Sequence, residues 1–536
     1  MKYVILEDDK ELLQQPIVNY KMRISIVKSD MKTIITSFTG VSDFGTLDIQ
    51  SSSDIRRTCD FTLKLDDFIS DIENEINTWL GFFYKIDLGV EDYIKETYSW
   101  YPAGIYRITG VSTTYNATEN SLKFSLSDRI SELNGTVNGQ IGGAISLTIP
   151  VEYNGAKRTI REIVSYIIQN LTTIKDYIIE DVGEYYGMPG HNSDYLTYRQ
   201  NNSEWNILPS DLTYNPGDTL WTALGDIRDL YPDCQAYMDV YGAFCFNMLP
   251  TMTTEIIDID NSFLRSIQTS DDCESVEYDT SNIKNITEIF GVSYDVDFYA
   301  TFSSFASNIY QLTLSAYTSY DKSDIIAFVP SANNTGACNI QINSLGVLPI
   351  YYEYTTTALT ANEIENGETC AVKIYTLNDS TGTKVAYYLG QYQPHALCVF
   401  TNDVNDITYT KTYFSNKYNI DPKNVIFRID PTSKFSVQNL GEVLESHSGD
   451  NFDNILSNTV AKTNAAYYNR KSTTMMDTVS ITTLLVPFLD VNIKVSYKKR
   501  QNDTEETYIV TEVSNDFSKC TSTITMYKFL QLYDNT

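Results

Sequence analysis

Between residues 20 and 128 the chain alternates polar and apolar side chains at period two, again and again. Met22–Val27, Thr33–Phe38 and Cys59–Leu65 show the pattern first, and Phe83–Val90, Gly104–Val111 and Ser121–Asp128 repeat it. Successive side chains of a strand point to opposite faces, so such segments are legible as half-buried strands and not as helices. The turn-forming stretch Thr114–Ser121 sits between the last two and predicts a hairpin. Six antiparallel strands in so short a span predict a barrel or sandwich over residues 1–150. Tyr, with 41 copies, and Phe, with 23, strengthen the β reading, because aromatic side chains suit a pleated, half-covered surface.

The period changes after Pro150. Ile160, Ile163, Val164, Ile167, Ile168 and Leu171 line one face of a helix, and Thr159 with Glu162 forms a capping box at its start. A strand at Tyr177–Val182 follows. A second helix carries Leu220, Ala223, Leu224, Ile227 and Leu230, capped by Asp218 or Thr219, and a hairpin spans Cys234–Asn247. Residues 151–254 therefore read as an α+β middle domain. Strands return over 255–310. Residues 311–430 read as an inserted β module rich in Asn, Thr, Gly and Ala. Ser446–Tyr468 reads as a helix, and strands at Thr478–Thr482, Val491–Tyr497, Glu506–Val513 and Ser522–Tyr527 close the chain. Residues 255–310 with 431–536 then form a second β-barrel and C-terminal region. The expected class is mainly β with an α+β middle domain: multidomain, with two antiparallel β-barrels plus the inserted module. A length of 536 residues fits about three to four domains. No short-period repeat of solenoid type is visible.

Chemistry is sparse. The only three His are His191, His395 and His447, and none has metal-ligand spacing. The eight Cys (Cys59, Cys234, Cys245, Cys273, Cys338, Cys370, Cys398 and Cys520) are scattered without a CxxC, and read as small core hydrophobes in a reducing compartment. There is no GxSxG elbow, and Gly139–Ala144 lacks the GK[ST] of a phosphate loop. His447 reads as a surface or helix-start residue. The acid runs Glu7–Asp9 and Ser270–Glu274 lack a calcium-loop pattern and read as solvated loops. With Trp79, Trp100, Trp205 and Trp221 as the only indoles, no Trp-platform sugar cleft is indicated. The expectation is no catalytic residue, no metal site and no cofactor.

A formal net charge of −30 argues against sequence-specific nucleic-acid binding, because the chain repels phosphate. It suits solubility, or an acidic lumen through which DNA slides without sticking. The first apolar run, Tyr3–Leu6, is too short for a signal peptide, and no window is long enough for a membrane helix. Cytoplasmic synthesis without stable membrane insertion is expected.

Several stretches resemble the phage tail and baseplate hub proteins. Trp100–Gly110 followed by Tyr115–Arg129 is similar to their first barrel, and the helix pair with Tyr237–Pro250 to their middle domain. Ser281–Gly291 is similar to the opening strand of their next barrel, and Val486–Tyr497 and Tyr508–Ser514 to their closing strands. Val329–Ile350 and Leu359–Glu368 resemble a small β module of phage fibre and baseplate proteins. The resemblance implies a trimeric structural hub in a virion tail, made in the host bacterial cytoplasm and not an enzyme. Such a hub has two tube-like barrels per chain and joins a six-fold tube to a three-fold tip or spike. Its implied partners are two further copies of itself, the tail tube or distal tail protein, the spike or tip protein, the tape measure protein and baseplate wedge proteins. A peripheral receptor-binding or adhesin subunit and a tail-associated cell-wall hydrolase are the competing readings. A bacteriocin-like particle is as compatible as a phage.

Overall fold

The computed structural model describes residues 3–38, 45–64, 80–115, 120–143, 146–153, 156–180, 211–229, 234–250, 257–270, 274–293, 296–352, 356–377, 382–449, 452–453, 455, 458–474, 476–500 and 504–528. His191, Trp79, Trp205, Cys273 and most of the Ser270–Glu274 run lie outside the described residues, as does the tip of the Thr114–Ser121 turn.

Alternation at period two gives one large antiparallel sheet. Its strands are β1 (Tyr20–Val27), β2 (Ile34–Phe38), β3 (Thr46–Gln50), β4 (Arg57–Lys64), β5 (Phe83–Asp92), β6 (Thr97–Tyr115) and β7 (Asn120–Asp128). The later part of the chain adds β8 (Glu274–Asp279), β9 (Met476–Leu484), β10 (Lys494–Tyr497), β11 (Glu506–Asp516) and β12 (Thr521–Lys528). Their order is β8-β9-β12-β11-β3-β4-β7-β6-β5-β1-β2, with β10 also paired to β11. Side chains from both groups share one hydrophobic cluster, including Leu47, Phe61, Ile86 and Phe124 from the first and Val479, Val495, Val513 and Met526 from the second. The sequence predicts two barrels here. Among the described residues these strands form a single sheet instead, because β11 accepts β3 along its outer edge rather than closing within its own group.

One barrel does close, and it lies within the middle of the chain. Phe298–Ala306, Ile309–Thr313, Asn339–Ile342, Leu348–Tyr352, Lys384–Gln391, Cys370–Thr376 and Ile325–Phe328 follow one another around it. Alternate side chains fill it, with Tyr310, Ile326, Ile340, Ile350, Val372 and Ile374 fully buried. It has its own core, separate from that of the large sheet.

The α+β unit contains the predicted helix Ile160–Leu171, and the capping box forms: the Glu162 N–H donates to Thr159 Oγ1 at 3.2 Å, and the Thr159 N–H donates to Glu162 Oε2 at 2.8 Å. Thr219 caps the helix Leu220–Arg228. Both pack on a sheet of Tyr177–Ile179, Phe244–Met248 and Cys234–Met238. A further four-stranded sheet holds Val425–Ile429, His395–Thr401, Ile286–Phe290 and Leu444–His447. The helix expected over Ser446–Tyr468 runs over Asn458–Ser472 instead. Its expected first turn is a strand, because Leu444–His447 pairs in parallel with Ile286–Ile289, and Gly449, at φ 73°, follows that strand.

Candidate assembly interface

The two groups of strands in the large sheet are copies of one another. Within β6–β7 the partners are Tyr106↔Asp128, Arg107↔Ser127 and Ile108↔Leu126; the register then skips Thr109 and resumes at Gly110↔Ser125 and Val111↔Phe124. Within β11–β12 they are Tyr508↔Lys528, Ile509↔Tyr527 and Val510↔Met526; the register skips Thr511 and resumes at Glu512↔Thr525 and Val513↔Ile524. The bulge sits at the same place in both. The skipped threonine even makes the same bond: Thr109 Oγ1 donates to the Ser125 carbonyl at 3.3 Å, and Thr511 Oγ1 to the Thr525 carbonyl at 3.1 Å. Bulges bend a strand and fix its register, so a matched pair marks matched architecture.

The match extends outward. Cys59↔Leu126 of β4–β7 corresponds to Val479↔Met526 of β9–β12, and Leu47↔Cys59 of β3–β4 corresponds to Val276↔Val479 of β8–β9. On the other side Tyr84 faces Tyr106 as Val495 faces Tyr508. The unit β3-β4-β7-β6-β5 thus recurs as β8-β9-β12-β11-β10. The sequence carries its trace: residues 106–112 read YRITGVS and residues 508–514 read YIVTEVS. A search for short periods passes over two copies set so far apart.

The copies join side by side. β11 receives β3 through Glu512↔Gln50, Val513↔Ile49, Ser514↔Asp48, Asn515↔Leu47 and Asp516↔Thr46. Ser514 Oγ donates to Asp48, and the Gln50 amide donates to Glu512 at 3.0 Å. Leu47, Ile49, Val513 and Asn515 are buried at this seam.

A buried polar cluster fastens the seam to the α+β unit. Arg57, fully buried on β4, reaches the Met238 carbonyl and the Asp490 carboxylate. Its own N–H donates to Asp128 at 3.0 Å. Arg56 donates to Gln235 at 2.9 Å and lies over the Tyr237 ring at 3.7 Å, while Asn492 donates to the same Gln235 oxygen at 2.7 Å. Burial pushes the Asp128 carboxyl up to about 6, against the pull of two backbone N–H groups and the two arginines. Burial also opposes the charge on Arg57, yet the Asp490 carboxylate outweighs it and holds that guanidinium protonated. The equivalent position in the second copy is Asp477, which pairs with Lys499 of its own copy.

The remaining candidates for chemistry are dispersed. His395 Nε2 lies 2.9 Å from Glu288 Oε1, and the ring stacks on Phe290 with centroids 4.3 Å apart. Ser446 Oγ donates to the other oxygen of Glu288 at 2.9 Å. The carboxylate stands between serine and histidine, so the imidazole is not placed to take the hydroxyl proton as a nucleophile's base must. His447 lies between Phe452 and Tyr468, with centroids at 5.1 and 4.6 Å, and is not a helix start. Among the described residues no group of three or more His, Cys, Asp or Glu side chains is placed to hold a metal ion. Cys59, Cys245, Cys338, Cys370 and Cys398 are buried free thiols, Cys234 is partly covered, and Cys520 is exposed. The Glu7–Asp9 run is the start of a helix, Glu7–Leu13, and not a loop: Asp9 is buried and accepts from the Tyr3 and Tyr101 hydroxyls at 3.1 and 3.0 Å. Among the described residues no helix is long and apolar enough to cross a membrane.

Residues 432–533 match a family described as a domain of unknown function, DUF5048. No curated protein matches the chain. Among solved structures, a tail protein from Neisseria meningitidis MC58 is similar at 8% identity and TM-score 0.43, over 96% of this chain and 98% of that one. A 43 kDa tail protein of prophage MuSo2 from Shewanella oneidensis is similar at 9% identity and TM-score 0.40, over 94% and 98%. The prophage tail protein gp18 from Listeria monocytogenes EGD-e is similar at 9% identity and TM-score 0.39, over 95% and 94%.

Proposed function

We propose that this chain is a structural, non-enzymatic hub of a phage or phage-like tail. Three copies form a ring on the tail axis that joins a six-fold tube to a three-fold tip and lets DNA pass. One observation carries the reading: the chain holds two equivalent five-stranded units side by side in one sheet. Three such chains present six equivalent units, which is what a subunit needs to meet six-fold symmetry on one side and three-fold on the other. The resemblance of Trp100–Gly110, Ser281–Gly291 and Tyr508–Ser514 to hub proteins points the same way. Each unit plays the part of one tube-like barrel. The inserted module expected over 311–430 overlaps the closed barrel at 298–391, which has its own core and decorates the outside of the ring. The acidity of the chain, −30 per copy, suits a lumen that does not retain DNA.

Cryo-electron microscopy of the particle tests this. Three copies around the axis, in contact with the tube, are expected. Six copies, or copies at the periphery, overturn it in favour of an adhesin role. Clearing of host peptidoglycan by the purified chain overturns the non-enzymatic part.

A further inference from the structure

Among the described residues, the seam between the two units has one matching half-seam without a partner at each end. The first unit's β6 corresponds to β11. Its residues Gly110–Thr114 correspond to Glu512–Asp516, the segment of β11 that receives β3. On that side β5 pairs with β6 only as far as Tyr106, and among the described residues no strand pairs with Gly110–Thr114 there. The second unit's β8 corresponds to β3. Among the described residues it is the terminal strand of the sheet, bonded to β9 alone.

Burial differs between the two copies in the same sense. Val513 is fully buried at the seam, whereas Val111, its counterpart, is only partly covered. Ile49 is 4% exposed and its counterpart Tyr278 is 49% exposed. Asn515 is 2% exposed while its counterpart Thr113 lies open to solvent. The chemistry is matched as well: the Ser514–Asp48 pair of the seam has its counterparts in Ser112 and Glu277, again a hydroxyl and a carboxylate.

We infer that β8 of one copy pairs, antiparallel, with Gly110–Thr114 of β6 in a second copy of this chain, in the register of the internal seam. The partners are Val111↔Tyr278, Ser112↔Glu277, Thr113↔Val276 and Thr114↔Ser275. This is a head-to-tail contact between two different surfaces, so it builds a closed ring if the rotation closes. It also removes an unpaired strand edge, which otherwise templates uncontrolled association. The inference names the partner surface of the ring proposed above, and rests on that reading only for the number of copies.

Paired cysteines test it in the full chain. In a Cys520→Ser background, Ser112→Cys with Glu277→Cys is treated with a short bismaleimide and run on a denaturing gel. Covalent multimers up to the closed ring are expected, with none from either single variant. Asp48→Cys with Ser514→Cys is the internal standard: it occupies the same geometry within one chain, and peptide mass spectrometry reads its link without a change in gel mass. If the standard links and Ser112–Glu277 does not, in a chain that sediments as an oligomer, the register is wrong while the ring stands. The other terminal edge, β2, then takes the contact, and Ile35→Cys with Glu277→Cys links instead. A chain that stays monomeric at its solubility limit and yields no product overturns the inference. A linked ring with other than three members upholds the edge pairing and overturns the three-copy hub.

Discussion

Arg57→Met is expected to loosen the junction between the first unit, the second unit and the α+β unit, and to leave the closed barrel untouched. The Arg57 side chain is 1% exposed and its ion-pair partner Asp490 is 14% exposed. Met keeps most of the stem volume, so the change removes chiefly the charge and its hydrogen bonds. Breaking one side of a buried pair costs about 3–5 kcal/mol, because the partner is left charged and uncompensated. Asp490 keeps some contact with water and still accepts from the Val491 N–H at 2.8 Å, which places the loss near the lower bound, about 3 kcal/mol. In a chain with several cores a single unfolding free energy is not defined. The assay is therefore native-state hydrogen exchange read peptide by peptide. Peptides covering β3, β4 and the Cys234–Met248 hairpin are expected to exchange roughly a hundredfold faster, the equivalent of about 3 kcal/mol. Peptides from 298–391 are expected to be unchanged. The double variant Arg57→Met, Asp490→Asn removes both charges, keeps an amide oxygen to accept from the Val491 N–H, and leaves the Met238 carbonyl short of a partner, a cost of about 1–3 kcal/mol. It should be no worse than the single variant. Unchanged exchange in the single variant refutes the reasoning, and so does a double variant whose loss is the sum of the two single losses.

Three further outcomes are expected. Asp128 binds its proton more tightly folded than unfolded, since its carboxyl is raised from 3.8 to about 6; its contribution is complete below the lower value and is lost as pH rises through the upper one. Relative to Asp128→Asn, the natural chain should therefore lose up to about 3 kcal/mol of local stability between acid and neutral pH, measured by hydrogen exchange at β4 and β7. Ile350→Ala, at a fully buried barrel position, should cost about 2–5 kcal/mol and lower only the calorimetric transition that carries the barrel, with the large sheet's exchange unaltered. Thr159→Ala removes a capping-box acceptor and should speed exchange at the start of the helix Ile160–Leu171 by the equivalent of about 1 kcal/mol.

Local elements were legible because their signals are local. Alternation marks β1, β4 and the β6–β7 hairpin directly, and the 3.6-residue spacing with its capping box marks Ile160–Leu171. What sequence pattern does not carry is which strand edges meet. β3 is not among the segments that alternation singles out, and its partner β11 lies at the far end of the chain. Nothing in the alternation of Thr46–Gln50 specifies that partner, because period two encodes which face is buried and not which neighbour bonds the backbone. Ser446–His447 is misread for the same reason: its strand state comes from Glu288–Ile289, a distant partner. The Ser446–Glu288–His395 cluster was not legible, since its members sit on three separate strands.

The duplication explains why the two copies differ where they do. A side-by-side repeat has one internal seam and two outer edges, so equivalent positions meet different surroundings. Arg57 lies beside the seam and reaches across it to Asp490 of the second copy. Asp477, its counterpart beside the outer edge, is neutralised within its own copy by Lys499. Had the second copy kept an arginine there, its charge would need an acceptor from a chain not yet bound, and a lone buried charge is costly in the free subunit. In the proposed ring, pairing Asp477 locally lets the subunit fold before it assembles. What remains at the outer edge is a β8 face with Tyr278 half exposed and Glu277 open to solvent, and a β6 face with Ser112 and Thr113 likewise open. Such an edge stays soluble while single and gains backbone hydrogen bonds and covered aromatic surface once paired. The internal seam, with Leu47 and Ile49 buried, is fixed on folding, and in the proposed ring the outer one is made between chains.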